Sequence, residues 1–284
     1  MQKLVAIDLD GTFLNENYTI SSLHADTVKK AQKKGAQIVI ATGRAQFDVQ
    51  RLFHDQDLSA WVIGANGATT YDPDGTLTLP LPLKTVYAKE IVRWLAEENY
   101  YFEIVTDKEI FITSNAKQLL EDEMDIVQQA DKEEMKKAKE RQLGQANMKE
   151  IDDYMRVFQA EKDIYKVTIV SFDEERRRVA ADTLGKNDLN LYSSADFNME
   201  IVDGQASKGH ALKKLANKLD IKKDDIIAIG DSMNDLPMLE AAGTKVAMGN
   251  ATDEVKEACD YTTDTNEENG VATMLEREIL KRKD

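Results

Sequence analysis

The chain has 284 residues, of which 42% are hydrophobic, enough for one large core or two modest ones and unlike a disulfide-stapled module. Its 37 Lys and Arg face 52 Asp and Glu, a formal charge of −15; with no lysine- or arginine-rich stripe, this argues against nucleic-acid backbone binding. Cys259 is the single cysteine, which rules out an internal disulfide and a Cys-x-x-Cys pair. No apolar stretch has the length of a signal-peptide core or a membrane span, so a cytoplasmic protein with no membrane contact is expected.

The first 80 residues alternate strand and helix. Leu4-Val5-Ala6-Ile7 is a continuous apolar run of the kind buried in parallel sheets. Ser21 or Ser22 caps a helix towards Lys34, and Gly35 ends it before a strand at Ile38-Val39-Ile40. Trp61-Val62-Ile63 then leads into the loop Gly64-Ala65-Asn66-Gly67, and Tyr71-Asp72-Pro73-Asp74-Gly75 carries turn chemistry. Pro80 and Pro82 mark a hinge over 80–84.

The pattern then changes to a helix near 86–98, strands at 101–104 and 111–112, and a charged helical region through Arg141. A strand at 165–170, a helix near 173–184 and a strand at 189–192 come next. This reads as an α+β domain inserted into the first. The earlier pattern returns with the helical face Ala211, Leu212, Leu215, Ala216 and Leu219, strands at 226–229, 246–248 and near Tyr261, and a closing helix over 270–280. The expected fold is α/β, a Rossmann-like parallel-sheet core with an inserted α+β cap. Its divisions are 1–82, the first part of the core, 83–192, the cap, and 193–284, the second part.

Asp8 and Asp10 sit at the carboxyl end of the first strand, where ligands bind in open parallel sheets. Two carboxylates beside a buried strand crowd like charge, which a cation relieves. A second acidic group lies in Gly230-Asp231-Ser232-Met233-Asn234-Asp235. If the two strands are neighbours, Asp8 and Asp231 share one hard metal while Asp10 adds a main-chain carbonyl, an oxygen set that suits magnesium. Thr42-Gly43-Arg44 places a hydroxyl and backbone donors at the same edge. Lys208 begins an amphipathic helix, where the macrodipole disfavours a cation, so something anionic offsets it. Taken singly, each motif also admits a plain turn, cap or surface role.

Together, Asp8-Leu9-Asp10-Gly11-Thr12, Thr42-Gly43-Arg44, Lys208-Gly209 and Gly230-Asp231-Ser232-Met233-Asn234-Asp235 resemble the four motifs of the haloacid dehalogenase-like phosphohydrolases. The long insertion resembles the large α/β cap of the Cof-type subfamily; Phe13 stands where that subfamily usually has leucine. The resemblance implies a magnesium-dependent phosphatase acting on small phosphorylated metabolites such as sugar phosphates or phosphorylated cofactors. Asp8 would be the nucleophile, forming an aspartyl-phosphate, and Asp10 the acid and base. Asp8, Asp10 and Asp231 would hold Mg2+. Thr42, Gly43, Lys208 and Asn234 would bind the phosphoryl group, with Asp235 supporting Lys208 or metal-bound water. Arg44 either binds substrate or pairs with a carboxylate, and Asn66 either touches substrate or only makes a turn. Cap residues would select the alcohol. A phosphomutase using the same aspartyl chemistry and a non-catalytic phosphometabolite binder are the alternatives.

Overall fold

The computed structural model describes residues 2–127, 131–185, 188–193 and 197–280, and the chain divides into two compact units, Met1–Pro80 with Ala206–Asp284, and Leu81–Gln205. The described strands run in chain order as β1 Leu4–Asp8, β2 Gln37–Ala41, β3 Trp61–Gly64, β4 Thr69–Tyr71, β5 Tyr101–Val105, β6 Ile110–Thr113, β7 Met148–Ile151, β8 Lys166–Val170, β9 Leu189–Tyr192, β10 Asn198–Asp203, β11 Ile226–Gly230, β12 Thr244–Ala247 and β13 Tyr261–Thr262.

The first unit is built on a sheet of order β13-β12-β11-β1-β2-β3-β4. Its pairs are parallel apart from β3 with β4. Both faces of a parallel sheet are covered, so a central strand must be apolar on both sides. Leu4, Val5, Ala6 and Ile7 of β1 are accordingly 0% exposed. The helix Ser22–Lys33 starts where the Ser21 hydroxyl accepts the His24 N–H, and the helix Lys208–Lys218 buries Ala211, Leu212, Leu215 and Ala216. Register aligns the strand ends. Ile7 pairs with Ile229, Asp8 with Ala41 and Ala41 with Ile63. Residues just past these positions therefore leave the sheet at one level of one edge.

The second unit carries a sheet of order β7-β6-β5-β8-β10-β9, antiparallel except where β6 meets β7. Side chains alternate across a strand. Phe102, Ile104, Val167, Ile169, Met199 and Ile201 form a core with Ile91, Val92 and Leu95 of the helix Thr85–Glu97. The intervening Glu103, Lys166, Thr168 and Glu200 are buried as well. Lys166 Nζ donates to Glu200 Oε1 at 2.5 Å. Glu103 accepts from the Tyr101 hydroxyl at 2.7 Å, Gln142 at 2.7 Å and Gln145 at 2.8 Å. Burial pushes the Glu103 carboxyl up while those bonds pull it back.

Two strands depart from the sequence reading. Asn198–Asp203 falls in the stretch assigned to the second part of the core, yet it pairs with β8 and β9. The compact units divide after Pro80 and after Gln205, where the sequence reading places the divisions after 82 and after 192. The strand escapes a hydrophobicity reading because Asn198, Glu200 and Asp203 interrupt its apolar residues. Met148–Ile151 is a partly exposed edge strand with Lys149 and Glu150 at its centre, so it carries little apolar signal. The charged region forms the helices Ala116–Ile126 and Lys132–Leu143. No described helix is long and apolar enough to cross a membrane.

The Lys166 and Glu200 side chains are 7% and 5% exposed, so removing the cation leaves a carboxylate in a site that water scarcely reaches. Lys166→Met is expected to cost about 3–5 kcal/mol, read as a lower urea midpoint by far-UV circular dichroism. Loss of the surface pair between Lys29 and Asp57 should leave that midpoint unchanged.

Candidate active site

Asp8 is the last residue of β1, and Asp231 follows the last residue of the neighbouring β11. Both carboxylates therefore reach the carboxyl-terminal edge of the sheet, where strand ends open a crevice. Asp8, Asp231 and Asp235 each bring a carboxylate oxygen within 4.8 Å of the others. Into this group reaches Lys208, 2% exposed, whose Nζ donates to Asp8 Oδ1 and Asp235 Oδ1, both at 2.6 Å. The macrodipole cost of a cation in a first helical turn is thus met by two carboxylates. Lys208 is held from below as well: the Ser207 hydroxyl caps its helix through the His210 N–H at 3.0 Å. At Gly209 a Cβ would lie 1.9 Å from the Pro237 carbonyl oxygen, so only glycine lets this helix seat against Leu236–Ala241.

Burial does most to push the Asp8 carboxyl well above the ordinary range, and the charges of Asp235 and Asp231 add to it against the opposing Lys208. Asp231 is pushed up to about 6, first by burial and then by Asp235, while a hydrogen bond from Thr12 opposes the shift. Burial works against the Lys208 ammonium, but Asp235 and Asp8 outweigh it and raise its pKa above that of an ordinary lysine. Asp235 is fully buried, and its second oxygen accepts the N–H groups of Asp231 and Ser232 at 3.0 and 3.1 Å. It is a scaffold carboxylate, with one oxygen given to Lys208 and the other to the loop.

The second strand end supplies donors. Thr42 is 1% exposed; its N–H donates to Ile63 O at 2.8 Å, its carbonyl accepts from Asn66 N–H at 3.0 Å, and its hydroxyl oxygen accepts from Arg44 N–H at 3.1 Å. The hydroxyl proton stays available for a ligand. Gly43 is half-buried between them. Arg44 is paired with Asp10, Nε to Oδ2 at 2.8 Å and Nη2 to Oδ1 at 2.5 Å. Asn66 is buried, in a left-handed conformation at φ 53°, and braces the Thr42 turn. Asn234 is half-buried and accepts the Ser232 hydroxyl at 2.7 Å.

The donor set fits a hard divalent cation. The crowded carboxylates exceed the one ammonium among them by two charges, every candidate ligand atom is oxygen, and Asp235 is already spent. The space beside Asp231 is open because Gly11, at φ +81°, has no Cβ; one added there would lie 2.5 Å from Asp231 Oδ2. Thr12 donates its hydroxyl to Asp231 Oδ1 at 2.8 Å and so fixes that carboxylate.

The sequence reading treats Thr12 only as part of a motif, although its place beside Gly11 is a legible signal. Asn250, which donates to the Gly11 carbonyl at 2.8 Å, carries no such signal, because only the fold brings it there. Elsewhere, Cys259 is no activated thiol: burial first, then the charge of Asp260, pushes it up to about 11. His54 lies exposed, whereas His24 is buried against Phe13.

A family model for haloacid dehalogenase-like hydrolases matches residues 5–275. The phosphatase YwpJ of Bacillus subtilis strain 168 is 40% identical over 280 residues, covering 96% of this chain and 98% of its own. The 5-amino-6-(5-phospho-D-ribitylamino)uracil phosphatase YwtE of the same strain is 37% identical over 280 residues, covering 97% of each chain. A solved haloacid dehalogenase-like hydrolase from B. subtilis is 40% identical, with a TM-score of 0.85 over 97% of this chain and 99% of its own.

Gly209→Ala forces a methyl group onto main-chain oxygen directly beside Lys208. The expected cost is about 1–3 kcal/mol of stability, measured as a lower thermal midpoint.

Proposed function

The chain belongs to the haloacid dehalogenase-like hydrolase family, and from that premise we propose that it is a magnesium-dependent phosphatase cleaving monoesters of small metabolites through an aspartyl-phosphate on Asp8. The observation that carries this reading is the buried Asp8–Lys208–Asp235 chain of 2.6 Å bonds beside Asp231. A surface turn has no need of such a costly arrangement.

A carboxylate oxygen of Asp8 attacks phosphorus, and the bond to the ester oxygen breaks. Asp10 gives its proton to the departing alkoxide. It then takes one from the water that attacks the aspartyl-phosphate, restoring Asp8 and releasing inorganic phosphate. Lys208 bonds Asp8 and supplies a fixed positive charge where the phosphoryl oxygens gather negative charge. The Thr42 hydroxyl, the backbone at Gly43 and the Asn234 amide are the remaining phosphoryl donors, and Asp235 holds Lys208 in place. Asp8, Asp231 and the Asp10 main-chain carbonyl are the groups for Mg2+, which when bound neutralises charge between the nucleophile and the phosphoryl group. The name of YwtE puts a phosphorylated ribityl compound at the head of a substrate panel, alongside sugar phosphates and phosphorylated cofactors.

Phosphate release across that panel tests the reading. Asp8→Asn is expected to lose at least about 1000-fold in turnover, and Lys208→Ala about 100- to 1000-fold. Transfer of the phosphoryl group to a second sugar without phosphate release would identify a mutase instead.

Binding of the metal is checked without turnover. Saturating Mg2+ should stabilise the wild type by about 2.7 kcal/mol at 100 times Kd, read as a raised thermal midpoint, and should leave the midpoint of Asp231→Ala unmoved. Equal shifts in both proteins would contradict the assignment.

A further inference from the structure

Arg44 comes from the loop after β2, and Asp10 from the loop after β1. The two strands are neighbours with Asp8 opposite Ala41, so both loops leave one sheet edge side by side. The guanidinium meets the carboxylate with two bonds of 2.8 and 2.5 Å, one to each oxygen. This planar fork fixes the rotation of the acid as well as its position. Among the described residues, Arg44 supplies both side-chain hydrogen bonds that the Asp10 carboxylate receives.

Arg44 is itself held in place. Its N–H donates to the Thr42 hydroxyl oxygen at 3.1 Å, its carbonyl accepts from Ala65 N–H at 3.0 Å, and its guanidinium lies 5.8 Å from the centre of the Tyr18 ring. The Asp10 side chain is 42% exposed, so the surrounding protein packs it loosely. A carboxyl group that must meet a leaving oxygen within hydrogen-bond reach needs a fixed orientation.

Building on the phosphatase reading, we propose that Arg44 is a positioning residue that orients Asp10 for proton delivery to the leaving group, rather than a ligand for the substrate. The proton passes from Asp10 to the alkoxide as the bond from phosphorus to the ester oxygen breaks, leaving the carboxylate whose plane the two Arg44 bonds fix.

The leaving group provides the test. An alkyl phosphate departs as a strongly basic alkoxide and needs the proton; 4-nitrophenyl phosphate departs as a weakly basic phenolate and hardly does. We would measure kcat/KM on both substrates for wild type, Asp8→Asn, Arg44→Ala, Arg44→Lys, Asp10→Asn and the double variant Asp10→Asn with Arg44→Ala. Arg44→Ala should lose about ten-fold or more on the alkyl ester while staying within about three-fold on the aryl ester, whose turnover also reports that the variant is folded. Arg44→Lys, which keeps the charge without the fork, should fall between wild type and Arg44→Ala. In the Asp10→Asn background the Arg44 substitution should add no further alkyl loss. Equal losses on both esters that persist in that background would overturn the proposal and make Arg44 a substrate ligand. No loss on either ester would overturn it too. Absence of phosphate release by the wild type, or its retention in Asp8→Asn, would instead overturn the phosphatase reading on which this role rests.

Discussion

The site depends on one buried cation. Lys208 lies 2.6 Å from Asp8 and 2.6 Å from Asp235, in a place where an isolated charge of either sign would be prohibitively costly. None of the three groups is tolerable there alone. Asp8 needs the ammonium to offset the burial and like charges that oppose its ionised form, Lys208 needs both carboxylates against its own helix dipole, and Asp235 needs Lys208 together with two loop N–H groups. These demands join three chain segments remote in sequence. The strand pairing of β1 with β11 and the packing of Gly209 on Pro237 hold those segments at the spacing the ion chain requires.

The same arrangement divides labour among carboxylates of one residue type. Asp235 has both oxygens spent on Lys208 and the loop, which makes it a support. Asp231 is steadied by Thr12 beside space that Gly11 keeps open, which suits a metal ligand. Asp10 is half-exposed and held by a single fork from Arg44. Environment, rather than residue identity, sets these roles apart.

Much of this was legible in the sequence, for physical reasons. Leu4-Val5-Ala6-Ile7 reads as a doubly covered strand because a parallel sheet demands apolar residues on both faces. The acidic, threonine and lysine motifs are short, and each lies at a strand end or a helix start, so their elements locate them. Less legible was whatever depends on packing between distant residues. Asn198–Asp203 hides among polar residues because one face of its sheet buries Glu200 against Lys166 instead of apolar side chains. The partner of Arg44 stayed open between substrate and carboxylate, since local spacing does not say which neighbouring loop a long side chain reaches. Asn250 on the Gly11 carbonyl lies wholly beyond such reading.

Strand order carries a kinetic consequence. β1 lies between β11 and β2 with two further strands on either side, while β13 and β4 form the rims. Partial opening of a sheet begins at rims and loops and reaches interior strands last. Asp8 is thus anchored at the end of the innermost strand of its sheet, where backbone opening is expected to be rarest within that sheet. A carboxylate placed at the end of an interior strand keeps its register through fluctuations that would dismantle a site built on an edge.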